Sequence, residues 1–197
     1  MKPYFLTHPV GVLYFAVLLG WYFMELVQLA RQQQWRENAT EVDPRSFWLA
    51  FAACVAAATA VLVVAPHAAP AAAIGHPAAT FAAGVVLLAA GAALRVWSFR
   101  ALGQYFTFTV KVSPDQPVIT RGPYRVLRHP GYAGGLLAIV GIGLVNGNWI
   151  GLATIVLLFL GITVWRIRVE EHALLTALDG RYRTYAAHHK RLVPLVW

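Results

Sequence analysis

Two short stretches of the chain collect side chains able to do chemistry together. Trp165 to Glu171 reads WRIRVEE; on a helix, Arg166 and Glu170 lie four residues apart and Arg168 and Glu171 three, so each pair shares a face. Arg128 to Gly135 reads RHPGYAGG, in which Arg121, Arg125 and Arg128 precede His129, Tyr124 and Tyr132 flank it, and Gly131, Gly134 and Gly135 follow. An arginine can hold a carboxylate through two parallel hydrogen bonds, where a lysine would be a poor substitute. Glycines at a helix start let backbone or ligand approach closely, and the free N–H groups there favour an anion. This is not the dinucleotide-binding glycine fingerprint, because no strand precedes it and no βαβ unit surrounds it.

Plainer uses exist for the same residues. His8-Pro9 and His76-Pro77 also stand before apolar runs, and proline suits the first turn of any helix because its missing N–H is not needed there. WRIRVEE could be a solvated helix end with weak salt bridges. What sets His129 apart from His8 and His76 is its company. What sets WRIRVEE apart is its place, since charges gathered where a span leaves the bilayer are expensive unless they bind something.

The elements that position these residues are membrane spans. Of 197 residues, 59% are hydrophobic and 12% charged, more apolar side chain than a soluble domain of this size can hide. The formal charge of +8 would suggest nucleic acid in a soluble protein, but in a membrane protein its distribution matters more, and no nucleic-acid partner is expected. A single cysteine, Cys54, excludes an intrachain disulfide, and no metal site is expected. Five stretches are apolar enough to cross: Pro9 to Ala30, Ser46 to Ala65, Pro77 to Trp97, Tyr132 to Asn146 and Trp149 to Trp165. Asn146-Gly147-Asn148 reads as a tight turn that makes the last two a helical hairpin. Trp48, Trp97, Trp149 and Trp165 fall near span ends, as interfacial anchors do. Glycines 134, 135, 141 and 143 of the fourth span could leave a path for a lipophilic molecule or serve as close-packing positions, the second being the reading preferred for 141 and 143.

Five spans put 15 Lys and Arg on one side against Lys2 on the other, so the N-terminus is expected outside and the C-terminus in the cytoplasm of a cell-membrane protein. The first run is too long and aromatic for a signal peptide and is read as a retained span. The expected organisation is a single membrane domain over residues 1–197, with three N-terminal transmembrane helices in 1–97 and a catalytic half in 98–197. The expected fold class is all-α with about five transmembrane helices, its cofactor-binding region built on the cytoplasmic side from loops and helix ends. Leu102 to Tyr124 is too long for a plain linker, and the alternation from Phe106 to Val112 suggests an extended segment at an interface. The tail from Leu192 to Trp197 either returns to the membrane or covers a ligand.

Taken in order, Gly122-Pro123-Tyr124, Arg128 to Tyr132 with Gly134, Arg166, Glu170-Glu171, then Gly180, Tyr182, Tyr185, Arg191 and Pro194 resemble the isoprenylcysteine carboxyl methyltransferase family, membrane enzymes that use S-adenosylmethionine. The resemblance runs from about Leu102 to Pro194. It implies that Gln116, Pro117, Val118, Ile119, Tyr124, His129, Pro130, Gly131 and Tyr132 surround the cofactor, that Glu170 is its acidic ligand, and that Arg166 meets a substrate carboxylate. Counting from Gly180 instead favours Glu171; counting from Tyr182 keeps Glu170. The implied reaction moves a methyl group to a lipophilic acceptor entering from the bilayer, most simply a carboxylate of an isoprenoid-like or prenylcysteine-like compound, which is ionised at neutral pH and needs no base. Phospholipid N-methyltransferases look similar here and would take a lipid amine, while membrane reductases of related core use NADPH; a non-catalytic membrane protein is the remaining alternative. Oligomeric state has no signal in the sequence.

Overall fold

The computed structural model describes residues 4–32, 40–43, 49, 52–53, 56, 65–107, 109–193 and 197. Its long helices are α1 (Gly11–Gln32), α2 (Pro77–Leu102), α3 (Pro130–Asn146) and α4 (Trp149–Leu178), followed by the short α5 (Gly180–His188). Pro77 and Pro130 stand in the first turns of α2 and α3, as the His-Pro spacing predicts. Pro9 does not open a helix: it lies in the turn before α1, with the amides of Gly11 and Val12 donating back to the carbonyls of His8 and Pro9. Among the described residues, three helices are long and apolar enough to cross a membrane, Gly11–Ala30, Pro77–Tyr105 and Trp149–Leu178; Pro130–Asn146 is a shorter apolar helix. The expected second span, Ser46 to Ala65, falls mostly outside the described residues.

Two expected spans are longer than the hydropathy suggests. α2 continues past Trp97 and α4 runs unbroken past Trp165 to Leu178, so the charged WRIRVEE stretch is a helix standing out beyond the apolar segment. The Asn146-Gly147-Asn148 turn forms as predicted. Gly147 takes a left-handed φ of 69°, Asn148 Oδ1 caps α4 by accepting from the Gly151 amide at 3.0 Å, and Asn148 Nδ2 donates to the Ala69 carbonyl at 2.8 Å. Trp97, Trp149 and Trp165 are exposed near the ends of the apolar segments, where anchors belong. Trp48 lies outside the described residues.

Glycine sets how closely α2 and α3 approach. A Cβ on Gly91 would lie 2.5 Å from the Gly134 carbonyl oxygen, and one on Gly141 would lie 2.5 Å from that of Gly84. Both pairs are two helical turns apart along their helices, so the antiparallel helices stay in contact over that length. Gly135 is packed against the Phe159 ring and Gly143 against Leu152. All four glycines of α3 singled out in the sequence are therefore packing positions, and neighbouring atoms fill the space where Gly134 and Gly135 could have left a path.

A two-stranded antiparallel sheet departs from a purely helical expectation. β1 (Thr40–Asp43) pairs with β2 (Val110–Val112), Thr40 opposite Val112. The expected extended segment thus has a backbone partner; Val110 and Val112 are buried against Ala173, Leu178, Tyr182 and Tyr185 of α4 and α5. At the opposite end, the Ile74 amide donates to the Gly147 carbonyl.

Candidate active site

The site is assembled where the start of α3, the projecting half of α4 and the returning tail meet. Arg128 and His129 are held by backbone as well as side chain: the Arg128 amide donates to the Lys190 carbonyl at 2.8 Å and the His129 amide to that of Arg191 at 3.0 Å. Behind them, the Tyr185 hydroxyl donates to the Tyr124 carbonyl at 2.8 Å. Leu192 of the tail is buried among Leu127, Ala133 and Ile167. Pro194 lies outside the described residues.

Glu170 and Glu171, adjacent in sequence, have different surroundings. Glu171 receives Arg128 Nη1 at 2.7 Å, His129 Nε2 at 3.2 Å and Arg191 Nε at 2.8 Å, and its side chain is only 8% exposed. Glu170 accepts the Tyr132 hydroxyl at 3.1 Å, lies 3.9 Å from His129 Nδ1, and keeps 32% exposure. Arg166, buried, donates from Nε to the Tyr132 hydroxyl at 3.1 Å. Tyr132 thus relays between Arg166 and Glu170, accepting from one and donating to the other. Of the pairs expected on α4, the first is bridged by Tyr132. In the second, Arg168 is exposed while Glu171 takes its partners from the residues just before α3 and from the tail.

The remaining predicted positions fall around this group. Pro130 and Gly131 are buried in the first turn of α3. Tyr124 is buried in a short 3₁₀ turn, Gly122–Arg125, where burial and then the nearby Glu170 carboxylate hold its phenol well above the ordinary range. Burial also raises the Tyr182 phenol, reinforced by Glu171 and Glu170. Gln116 is buried, and its backbone carbonyl accepts from Arg181 Nη1 at 3.4 Å; Val118 packs on the cluster that includes Tyr182 and Tyr185, while Pro117 is exposed and Ile119 half-buried. The segment from Gln116 to Ile119 is thereby tied to the α4–α5 end of the site. Three buried polar atoms around this region have no partner in the structure: Gln116 Oε1, the Tyr182 hydroxyl and Arg128 Nε. Such orphans suit a polar ligand carrying both donors and acceptors, as S-adenosylmethionine does.

One part of the neighbourhood escaped the sequence reading. Arg95 of α2 forms a two-pronged ion pair with Glu25 of α1, Nη2 donating to Oε2 at 3.0 Å and Nε to Oε1, and its third prong, Nη1, donates to the Gly131 carbonyl at 3.0 Å. A signal was present. Glu25 is the sole charge between Pro9 and Ala30, and Arg95 the sole charge between Pro77 and Trp97.

Comparison with known proteins agrees with this architecture. A family model described as phospholipid methyltransferase matches residues 79–179, a little over half of the chain. Protein-S-isoprenylcysteine O-methyltransferase B of Arabidopsis thaliana is 29% identical over 115 residues, covering 57% of this chain and 58% of that protein. A probable protein-S-isoprenylcysteine O-methyltransferase of Oryza sativa subsp. indica is 30% identical over 105 residues, covering 52% and 55%. The solved structure of the eukaryotic intramembrane Ras methyltransferase, isoprenylcysteine carboxyl methyltransferase, shares the fold with a TM-score of 0.63 at 21% identity, over 79% of this chain and 55% of that one. The chain spans a little over half the length of these relatives. The family match and the shared membrane fold bear out the resemblance read from the motifs: the chain belongs to the phospholipid methyltransferase family, with isoprenylcysteine O-methyltransferases among its relatives.

Proposed function

We propose that the protein is an integral membrane methyltransferase that moves a methyl group from S-adenosylmethionine to the carboxylate of a lipophilic, isoprenoid-like or prenylcysteine-like acceptor. The observation that carries this reading is the division of labour between the two glutamates. Glu171 is consumed by three basic neighbours, leaving Glu170, half-exposed beside Tyr132, to face a ligand. In this reading Glu170, Tyr124, Tyr132, the first turn of α3 at His129, Pro130 and Gly131, and the segment Gln116 to Ile119 hold the cofactor. Bound there, it supplies an electrophilic methyl group on a sulfonium.

The chain's own residues supply alignment and exclusion of water. Arg166, buried and fixed through Nε to Tyr132, orients the acceptor carboxylate; an acceptor already ionised asks for no proton removal. Tyr132 ties the two roles together, because it touches both Arg166 and Glu170. The acceptor enters from the bilayer, the site lies on the cytoplasmic side, and residues 98–197 form the catalytic half.

The family's description favours a second reading, a lipid amine as acceptor. An amine must lose a proton, and Glu171, engaged by two arginines and His129, is poorly placed to take it. Glu170 and His129 are then the candidate bases.

The test is calorimetry in mild detergent with S-adenosylhomocysteine and NADPH, on wild type, Glu170→Ala and Arg166→Ala. Binding of the adenosyl ligand alone, lost in Glu170→Ala and largely kept in Arg166→Ala, supports the proposal. NADPH binding instead would move the chain to reductase chemistry, and binding of neither would remove the cofactor reading. Turnover with a lipid carboxylic acid against a lipid primary amine then separates the two acceptors.

A further inference from the structure

We propose that Glu25, in the first membrane helix, is a positioning residue of the site, acting through Arg95 on the first turn of α3. The inference rests on the methyltransferase reading above and adds to it a helix outside the matched region. The guanidinium spends two prongs on Glu25 and a third on the Gly131 carbonyl, one residue from Pro130 and Tyr132. Its other neighbours are aromatic: it stands 4.9 Å from the Phe99 ring centroid and 5.7 Å from that of Trp21. Both partners are largely shielded, with side chains 13% and 19% exposed.

A plain helix-docking contact explains this poorly. α1 is already docked at its other end, where Tyr14, 1% exposed, packs with Phe5, Phe81 and Val85. Most of its apolar surface, including Val12, Leu19, Phe23 and Leu26, faces outward. Placing a charge on such a helix inside an apolar segment is expensive, and this one is spent where α3 begins. Arginine is the residue able to do it, because its planar fork grips a carboxylate and still has an N–H to spare, which an ammonium on a flexible stem does not reproduce. Without Glu25 the fork loses its anchor and the Gly131 carbonyl its fixed donor, loosening the turn that carries His129 and Tyr132.

The test measures S-adenosylhomocysteine affinity per folded molecule by calorimetry, with the thermal midpoint recorded beside it, for wild type, Glu25→Gln, Glu25→Asp, Arg95→Lys, the Glu25→Gln/Arg95→Lys double variant and Tyr14→Ala. Glu25→Gln and Arg95→Lys should each weaken binding by roughly tenfold or more, as loss of a charged hydrogen bond does. The double variant should be no weaker than the worse single, and Glu25→Asp, which keeps the charge, should recover part of the affinity. Tyr14→Ala should lower the midpoint and leave affinity unchanged. Affinities of the two single variants within twofold of wild type would overturn the inference whatever their midpoints, and so would an equal loss in Tyr14→Ala. If Glu25→Gln does not survive purification, Arg95→Lys alone is read under the same criterion. A wild type that binds no adenosyl ligand sinks the methyltransferase reading and this inference together.

Discussion

Successive residues leave a helix about 100° apart, and at 170 and 171 that rotation separates two carboxylates into different environments. Glu171 turns toward Arg128, His129 and Arg191, and Glu170 toward Tyr132 and solvent. Replacing Glu171 by Gln strands two guanidinium groups, and for a pair this buried the loss is about 2–4 kcal/mol, tempered because Arg191 is partly exposed. Glu170→Gln should cost less than about 1 kcal/mol in stability yet abolish adenosyl-ligand binding. Thermal melts and calorimetry on the two variants check this, and a reversed pattern would exchange the two roles. His129→Ala should abolish methyl transfer, whereas His8→Ala and His76→Ala should not; equal losses in all three would return His129-Pro130 to simple helix punctuation. Sequence alone favoured Glu170, by the count from Tyr182, over Glu171, by the count from Gly180, because the two registers differ by one residue; the packed partners add that the two carboxylates have different surroundings. Sequence also singled out His129 and Tyr132, through the density of arginine, tyrosine and glycine around them.

Helices were legible where period and punctuation agree, as at Pro77, Pro130 and the Asn-Gly-Asn turn. They were not legible in length. Hydropathy falls at Trp165 but helix propensity does not, so α4 continues for three more turns. The closeness of α2 and α3 gives the sharpest test at this scale. Gly91→Ala and Gly141→Ala each push a methyl group into backbone and should destabilise by about 1–3 kcal/mol, while Gly161→Ala, with open space around it, should be neutral or slightly stabilising. Melting the three variants in one detergent decides it. The buried tyrosines of the projecting end set an alkaline limit. Tyr182 keeps its proton in the folded state well past its ordinary value of 10.0, so above pH 10 the unfolded chain loses protons that the folded chain retains, and stability falls. The loss should be shallower in Tyr182→Phe, and midpoints between pH 8 and 11 measure it; at neutral pH this tyrosine contributes no slope.

For the whole molecule, the bias of basic residues toward one side implied five crossings. β1 pairs with β2 at the end that carries the charged half of α4, while Ile74 meets the Asn146–Asn148 turn at the other. With Cys54→Ser as background, cysteines at the exposed positions Ala71 and Asp179 (Ala71→Cys, Asp179→Cys) should react with an impermeant thiol reagent from opposite faces of sealed vesicles; labelling from the same face would break the topology. The β1–β2 pairing was beyond sequence reading, since both strands are short and their partners are some seventy residues apart. Glu25 and Arg95 were readable as lone charges in apolar runs, but nothing in the sequence matched one to the other across the same interval. That interval has a meaning in time. A chain elongating at roughly 5–20 residues per second makes Glu25 about 4–14 s before Arg95. During biogenesis the first helix therefore carries a carboxylate whose partner has not yet been synthesised, which makes its early lodging in lipid provisional and the arrival of α2 the event that commits it.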